Sequence, residues 1–322
     1  MIVAKAPFRI SFVGGGTDFE DYYRLGWGNV VSTTIDKYMH VTLIRKFDGR
    51  IHLRYSEFEC VDSVNEVRHR LIREALRHFG IKRGVEMATI SDIPARGSGL
   101  GSSSSLLVAL VQALSLFERG ETLAAEELAE KACEIEIKFL QEPIGRQDQY
   151  AAAYTGFNKI TFRTDAIEVV PIERNERLEW LEQATKLYFL GVGRNAGDIL
   201  CNHKKGILER KGVLDKQRDL VPEFMRWLGG YDKESYAGDL VNLSWRYKKD
   251  MTPGATNERI DKLIRDAIKA GAYGAKVCGA GSGGFLMVIC EPEKQEAVDV
   301  ALRELQGMKM RFGDGGVKVA DI

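Results

Sequence analysis

Apolar positions change period several times along the chain, and each change marks an element. Residues 1–13 alternate and then run apolar, as a half-buried strand does, until Gly14-Gly15-Gly16-Thr17-Asp18 breaks the run into a loop. Residues 30–45 and 50–55 are β-branched and alternating, which predicts two further strands with Asp48-Gly49 as a hairpin turn. From 65 to 79 the period becomes helical, with Val67, Leu71, Ala75, Leu76 and Phe79 on one face and Gly80 as the stop. A strand at 85–91 leads into a loop with glycines at Gly97, Gly99 and Gly101. A helix at 103–117 follows, then a longer one from 122 to about 141 that Pro143 must end.

Beyond it the pattern predicts a hairpin at 156–170, a charged crossing at 173–182 and a strand at 186–192. Helices at 195–211, 214–228, 233–248 and 256–270 come next, the last with Ile260, Leu263, Ile264, Ala267 and Ile268 on one face. Two strands flank a glycine loop within 276–289. A helix at 292–306 stopped by Gly307, and short strands at 309–312 and 317–320, close an α+β second unit. The expected division is 1–175 and 176–322.

Composition narrows the function. The chain has 322 residues, enough for about two domains of ordinary size. Lys+Arg and Asp+Glu both number 46, so there is no net field to recruit nucleic acid or an anionic membrane; a small-molecule partner is expected, with a homo-oligomer left open. No run approaches the roughly 20 apolar residues of a membrane span, and the start of the chain is no secretory leader, so a cytoplasmic protein is expected. Cys60, Cys133, Cys201, Cys278 and Cys290 contain no Cys-x-x-Cys pair and read as reduced packing residues. His69 and His78 have no partner at metal-ligand spacing and read as a solvated helix face.

Candidate chemistry concentrates in the glycine loop. Gly97, Gly99 and Gly101 let backbone approach a ligand closely, and Ser102 to Ser105 begin a helix whose first N–H groups and positive dipole end suit a phosphate chain. The spacing fits neither the Gly-Lys-Ser/Thr loop nor the Gly-x-Gly-x-x-Gly loop. Pro94-Ala-Arg-Gly-Ser-Gly-Leu-Gly-Ser-Ser instead resembles the ATP-phosphate loop of the GHMP kinases.

Three further stretches carry the same resemblance. Ala6-Pro-Phe-Arg-Ile-Ser-Phe-Val-Gly-Gly-Gly-Thr-Asp is similar to the first family motif, with Arg9 and Asp18 on matching positions. Pro143-Ile-Gly-Arg-Gln-Asp-Gln is similar to the loop bearing the catalytic aspartate, here Asp148, and Glu136 lies seven residues before Pro143, where the family places a Mg²⁺ ligand. Lys276-Val-Cys-Gly-Ala-Gly-Ser-Gly-Gly is similar to the third motif, a glycine loop packed against the ATP loop.

The resemblance implies an α+β, two-domain GHMP kinase fold, with a ribosomal S5 domain 2-like N-terminal domain and a ferredoxin-like C-terminal one. It also implies ATP and Mg²⁺. Asp148 and Arg9 would be catalytic; Arg96, Gly97, Ser98, Gly99, Leu100, Gly101, Ser102, Ser103 and Ser104 would bind ATP; Ser103 and Glu136 would hold the metal, a carboxylate and a hydroxyl being hard oxygen ligands. Gly14, Gly15, Gly16, Thr17, Asp18, Arg194 and Gly281 would line the substrate site. Gly15-Gly16 stands where galactokinase-like members carry Glu-His, and in this the chain resembles the heptose 7-phosphate kinases and, more loosely, the fucokinases. Losing that carboxylate suits a sugar that is already phosphorylated. A kinase of a free sugar, or a non-catalytic sugar and ATP sensor, is the alternative.

Overall fold

Two sheets organise the chain in a computed structural model that describes residues 1–192, 196–313 and 315–322. The first lobe runs β1 (Ile2–Val13), α1 (Glu20–Tyr23), β2 (Gly28–Arg45), β3 (Ile51–Arg54), β4 (Phe58–Val61), α2 (Arg70–His78), β5 (Val85–Ser91), α3 (Ser102–Arg119), α4 (Ala125–Cys133), α5 (Gln147–Tyr154), β6 (Phe157–Phe162) and β7 (Ile167–Pro171). The second runs α6 (Glu176–Ala184), β8 (Thr185–Gly191), α7 (Ala196–Lys205), α8 (Lys211–Leu228), α9 (Tyr236–Met251), α10 (Glu258–Lys269), β9 (Gly274–Val277), β10 (Gly284–Ile289), α11 (Gln295–Ala301) and β11 (Gln306–Met308). A last strand, β12 (Lys318–Asp321), returns to the first sheet.

β2 is long enough to serve two neighbours along one edge. Its first half pairs with β6 and its second half with β5, while β1 lies antiparallel along the other edge. The register of β1 on β2 shifts between Pro7 and Arg9, a local irregularity of the kind that re-aims a side chain. α3 is buried from Ser104 to Ser115 on every side, so it is a central core helix rather than an amphipathic one.

The second sheet has the order β11-β8-β10-β9, all antiparallel. Numbered along the chain this is fourth, first, third, second, with helices between the first pair and the last pair of strands: the expected ferredoxin-like arrangement. The two lobes share one core. Phe12 of β1 stacks on Phe224 of α8 at 5.4 Å, and Leu220, Val221 and Trp227 join the same cluster. Each such large side chain, fully buried, adds roughly 1.5–3 kcal/mol.

Several elements differ from the sequence pattern. The helix expected at 65–79 begins only at Arg70, after a 3-10 turn at Val64–Glu66, because His69 caps it by accepting the Ile72 N–H on Nδ1 at 3.3 Å. His69 is thus a cap and not a solvated side chain. The helix expected at 122–141 is α only to Cys133 and becomes a π-helix over Glu134–Phe139. The crossing at 173–182 holds α6, and the loop containing Asp148 winds into α5. The segment expected as a strand at 309–312 makes only an isolated bridge, Ile35 to Phe312. Residues 317–320, expected to complete the second unit, instead give β12 on the free edge of β1, from Ile2 opposite Asp321 to Lys5 opposite Lys318. No helix among the described residues is long and apolar enough to cross a membrane.

Candidate active site

A cleft of about 390 Å³ lies between the lobes, and Arg9 and Asp148 stand in its wall. The Arg9 guanidinium grips the Asp148 carboxylate with two parallel bonds, Nε to Oδ1 and Nη2 to Oδ2, each 2.7 Å. Such a fork fixes the plane of the carboxylate as well as its position. The third arm, Nη1, donates to the Gly99 carbonyl at 2.8 Å, and the Arg9 N–H donates to the Leu100 carbonyl at 3.0 Å. The strand bearing Arg9 is therefore tied to both Asp148 and the glycine loop.

That loop is shaped by close backbone approach. Gly99 has φ +73°, and a Cβ there would sit 2.5 Å from the Cys278 carbonyl oxygen; one on Gly279 would meet the Gly99 backbone at 2.7 Å. The two glycine loops thus pack main chain on main chain, as their resemblance implied. Gly101, φ +78°, caps α3 and faces Asp148, whose Oδ2 a Cβ there would approach to 3.3 Å. The first bond at this end is Ser105 N–H to the Gly101 carbonyl, so the N–H groups of Ser102, Ser103 and Ser104 have no partner within the helix. Arg96, Gly97, Ser98, Gly99 and Gly101 to Ser104 line the cleft. Leu100 is buried, offering only backbone, while Ser98 Oγ and Ser102 Oγ bond each other at 2.5 Å.

Glu136 is 1 % exposed. Its Oε2 accepts from Ser104 Oγ at 2.8 Å and from Gln149 Nε2 at 2.7 Å. Burial pushes its pKa up to about 7 against the pull of the Ser103, Ser104 and Gln149 hydrogen bonds. Glu136 and Ser103 together line a larger cavity of about 1120 Å³ that continues from the glycine loop towards Tyr55 and His69. The structure brings the two expected metal residues together, with Ser104 as a third oxygen. α5 links the two centres, since Asp148 reaches Arg9 and the next residue, Gln149, reaches Glu136.

The triple-glycine loop divides its labour. Gly14 is held close to β2, for a Cβ would lie 2.0 Å from the Asn29 carbonyl oxygen, and the Thr17 hydroxyl donates to Gly14 and accepts from Asn29 N–H, both at 2.9 Å. Gly14 and Thr17, expected at the substrate, are therefore packed into the scaffold and do not line the cleft. Gly281 likewise abuts Ala255, whose carbonyl oxygen would lie 2.5 Å from an added Cβ, and it is not among the residues that line the cleft. Gly15, Gly16 and Asp18 do line it. Asp18 accepts from Gly16 N–H at 3.1 Å and Gln147 N–H at 3.0 Å, clamping this loop to the start of α5; burial raises its pKa. Arg194 lies outside the described residues.

Three polar side chains of the second lobe help to complete the cleft: Gln217 on α8 and Lys248 on α9, which the sequence did not single out, and Lys276 on β9, which opens the third glycine motif. Lys276 Nζ donates to the Phe12 carbonyl at 2.9 Å, and burial lowers its pKa to about 8. Nothing in the helical period of α8 and α9 distinguishes Gln217 or Lys248 from an ordinary polar position. Only the packing of α8 and α9 against β1 brings them to the cleft that holds Asp148.

Comparison with known proteins agrees with this geometry. The family model for the GHMP kinases N terminal domain matches residues 66–156, and that for the GHMP kinases C terminal matches residues 234–306. The chain is 32% identical to the D-glycero-alpha-D-manno-heptose 7-phosphate kinase of Campylobacter jejuni, over 97% of this chain and 96% of that one. It is 26% identical to a bifunctional fucokinase/GDP-fucose pyrophosphorylase of Arabidopsis thaliana over 93% of this chain but 31% of that one. The crystal structure of a D-glycero-D-manno-heptose 1-phosphate kinase from Bacteroides thetaiotaomicron superposes with a TM-score of 0.74 at 26% identity, covering 100% of this chain and 99% of that one. Matched in both halves, and in one relative almost from end to end, the chain belongs to the GHMP kinase family.

Proposed function

We propose that the protein transfers the γ-phosphoryl group of ATP to the anomeric hydroxyl of a heptose 7-phosphate, giving the 1,7-bisphosphate. The observation that carries this reading is the Arg9-held Asp148 carboxylate sharing one cleft with the open amino end of α3. Asp148 receives or orients the proton of the acceptor hydroxyl. Arg9 keeps both carboxylate oxygens in place, so the acceptor meets a base whose orientation does not have to be selected at each turnover. The loop N–H groups and the α3 dipole hold the triphosphate, with Arg96 at its rim. The larger cavity, lined by Met39, Tyr55, His69 and Leu106, takes the nucleoside.

A hard cation fits the residues present. Glu136 is a buried carboxylate whose hydrogen-bond partners, Ser103, Ser104 and Gln149, are all uncharged. Mg²⁺ on Glu136 and Ser103 would supply the missing positive charge and neutralise phosphate oxygens. The acceptor is read from the glycines in place of Glu-His and from the Campylobacter relative.

The experiment is ATP consumption over heptose 7-phosphate, heptose 1-phosphate, free heptose, mannose, fucose and galactose, with ³¹P NMR of the product. Heptose 7-phosphate should be preferred and should yield a new anomeric phosphate. A preference for free fucose or galactose refutes the acceptor, and binding without turnover on every sugar refutes the kinase reading.

A further inference from the structure

Charge in the cleft is unevenly distributed. Arg9 and Asp148 neutralise each other, and Asp18 is satisfied by two backbone N–H groups. Of the other cations, Arg96 stands at the glycine loop, and Lys248 and Lys276 are on the second-lobe wall. Lys276 is committed to the Phe12 carbonyl and, at 3.4 Å, to Ser244 Oγ. Lys248 differs: its Nζ makes no hydrogen bond and no ion pair within 4 Å among the described residues. Gln217, which lines the same cleft and is 3 % exposed, spends its Nε2 on the Ser244 carbonyl at 3.2 Å and leaves Oε1 buried without a partner among the described residues. An uncommitted ammonium and an unpaired acceptor in one wall ask for a ligand with an anionic group and a hydroxyl.

We infer that Lys248 and Gln217 are the acceptor-recognition pair of the enzyme: Lys248 Nζ binds the phosphate that the sugar already carries, and Gln217 Oε1 accepts a hydrogen from one of its hydroxyls. The inference rests on the sugar-phosphate reading above. It also relocates the source of that specificity. The triple glycine was read as suiting a phosphorylated sugar because it lacks a carboxylate; in the structure the Gly16 N–H is taken by Asp18, and Gly14 is packed on β2. The glycines make room, and the charge comes from α9. Burial lowers the Lys248 pKa to about 8, which leaves the amine protonated at neutral pH. Asp18 and Asp148 favour that charge, and Arg9 opposes it.

The test is steady-state kinetics of Lys248→Met, Lys248→Arg and Gln217→Leu on heptose 7-phosphate and on unphosphorylated heptose, with the thermal midpoint and the KM for ATP as controls. Methionine keeps the length of the stem and removes only the charge. Losing one charge-assisted hydrogen bond should raise KM for heptose 7-phosphate about tenfold to a hundredfold, with kcat within a few-fold. KM for unphosphorylated heptose should move less than about threefold, and arginine should restore much of the loss. Gln217→Leu should weaken both sugars alike, because both carry the hydroxyl. Equal losses on both sugars in Lys248→Met, or a fall in kcat with KM unchanged, would place Lys248 on the reacting atoms and overturn the inference, as would no loss at all. A wild type that prefers unphosphorylated heptose would instead overturn the reading on which the inference rests. Should Lys248→Met not fold, Lys248→Gln carries the same comparison.

Discussion

Asp148→Asn separates chemistry from architecture, because the change swaps one oxygen for an NH₂ and alters almost no volume. In the wild type both carboxylate oxygens accept from Arg9 at 2.7 Å. Asparagine can keep one of these bonds, but its NH₂ then faces a guanidinium N–H, donor against donor. A hydrogen bond between charged groups is worth about 1.5–3 kcal/mol. Since Asp148 is 27% exposed, water compensates part of it, and a stability loss of about 1 kcal/mol is the expected scale. In a chain of this size that moves the thermal midpoint by only about 2 °C. Turnover should suffer far more. An amide cannot take a proton, and removing a positioned base costs on the order of a hundredfold or more in kcat, about 2.7 kcal/mol or more of barrier. The assay is kcat by coupled ATP consumption at saturating substrates, with calorimetric binding of ATP and sugar. Arg9→Lys is the companion: it keeps a positive charge but loses the fork, so kcat should fall although the base remains. An Asp148→Asn protein that folds, binds both ligands and turns over within a few-fold of wild type would refute the assignment.

Other perturbations test the surrounding structure. Glu136→Ala should raise the Mg²⁺ concentration needed for half-maximal rate, with partial rescue by excess Mg²⁺ and little change in KM for sugar; an unaltered Mg²⁺ curve would count against the metal assignment. Gly99→Ala must hold a side chain at φ +73° and 2.5 Å from the Cys278 carbonyl, so stability should drop by about 1–3 kcal/mol and KM for ATP should rise, measured by denaturant unfolding and by kinetics. His203, 1 % exposed behind Gly16, has its pKa lowered to about 3 by burial and by the nearby charge of Lys248. The unfolded chain, with an ordinary histidine near 6.5, binds the extra proton first, so stability present above pH 6.5 drains away as pH falls towards 3. Between pH 7 and 5 this amounts to about 2 kcal/mol. His203→Gln should flatten the fall of the urea midpoint over that range, and parallel slopes in the two proteins would contradict it.

Local signals carried most of the fold. Glycine positions that demand positive φ, the serine run at a helix start and the alternating strands are short-range features, and α3, β5, the β6–β7 hairpin and three strands of the second sheet, β8, β9 and β10, lie where they point, whereas β11 (Gln306–Met308) falls where a helix end was expected. Arg9 and Asp148 were legible because each sits in a compact motif. What escaped depends on partners distant in sequence. The π-helical turn at Glu134–Phe139 has an ordinary helical composition, and the partners its Glu136 meets, Ser104 and Gln149, lie on other helices. Gln217 and Lys248 look like any polar helix positions until α8 and α9 pack on β1. Thr17 is hydroxylic and near the site, yet its hydroxyl is consumed by Gly14 and Asn29, a demand set by how β1 and β2 cross.

β12 has a consequence for biosynthesis. β1 leaves the ribosome early, but its outer neighbour, Lys318–Asp321, is made only after every element of the second lobe. Until then one side of β1 is a row of unpaired N–H and C=O groups beside Ile2 and Ala4, a surface on which another nascent chain can template. The alternation of Lys5 with these apolar residues is the kind of edge charge that discourages such pairing. The first lobe is therefore completed last, and a translation arrest within the second lobe would release a chain whose first sheet is still open at one side.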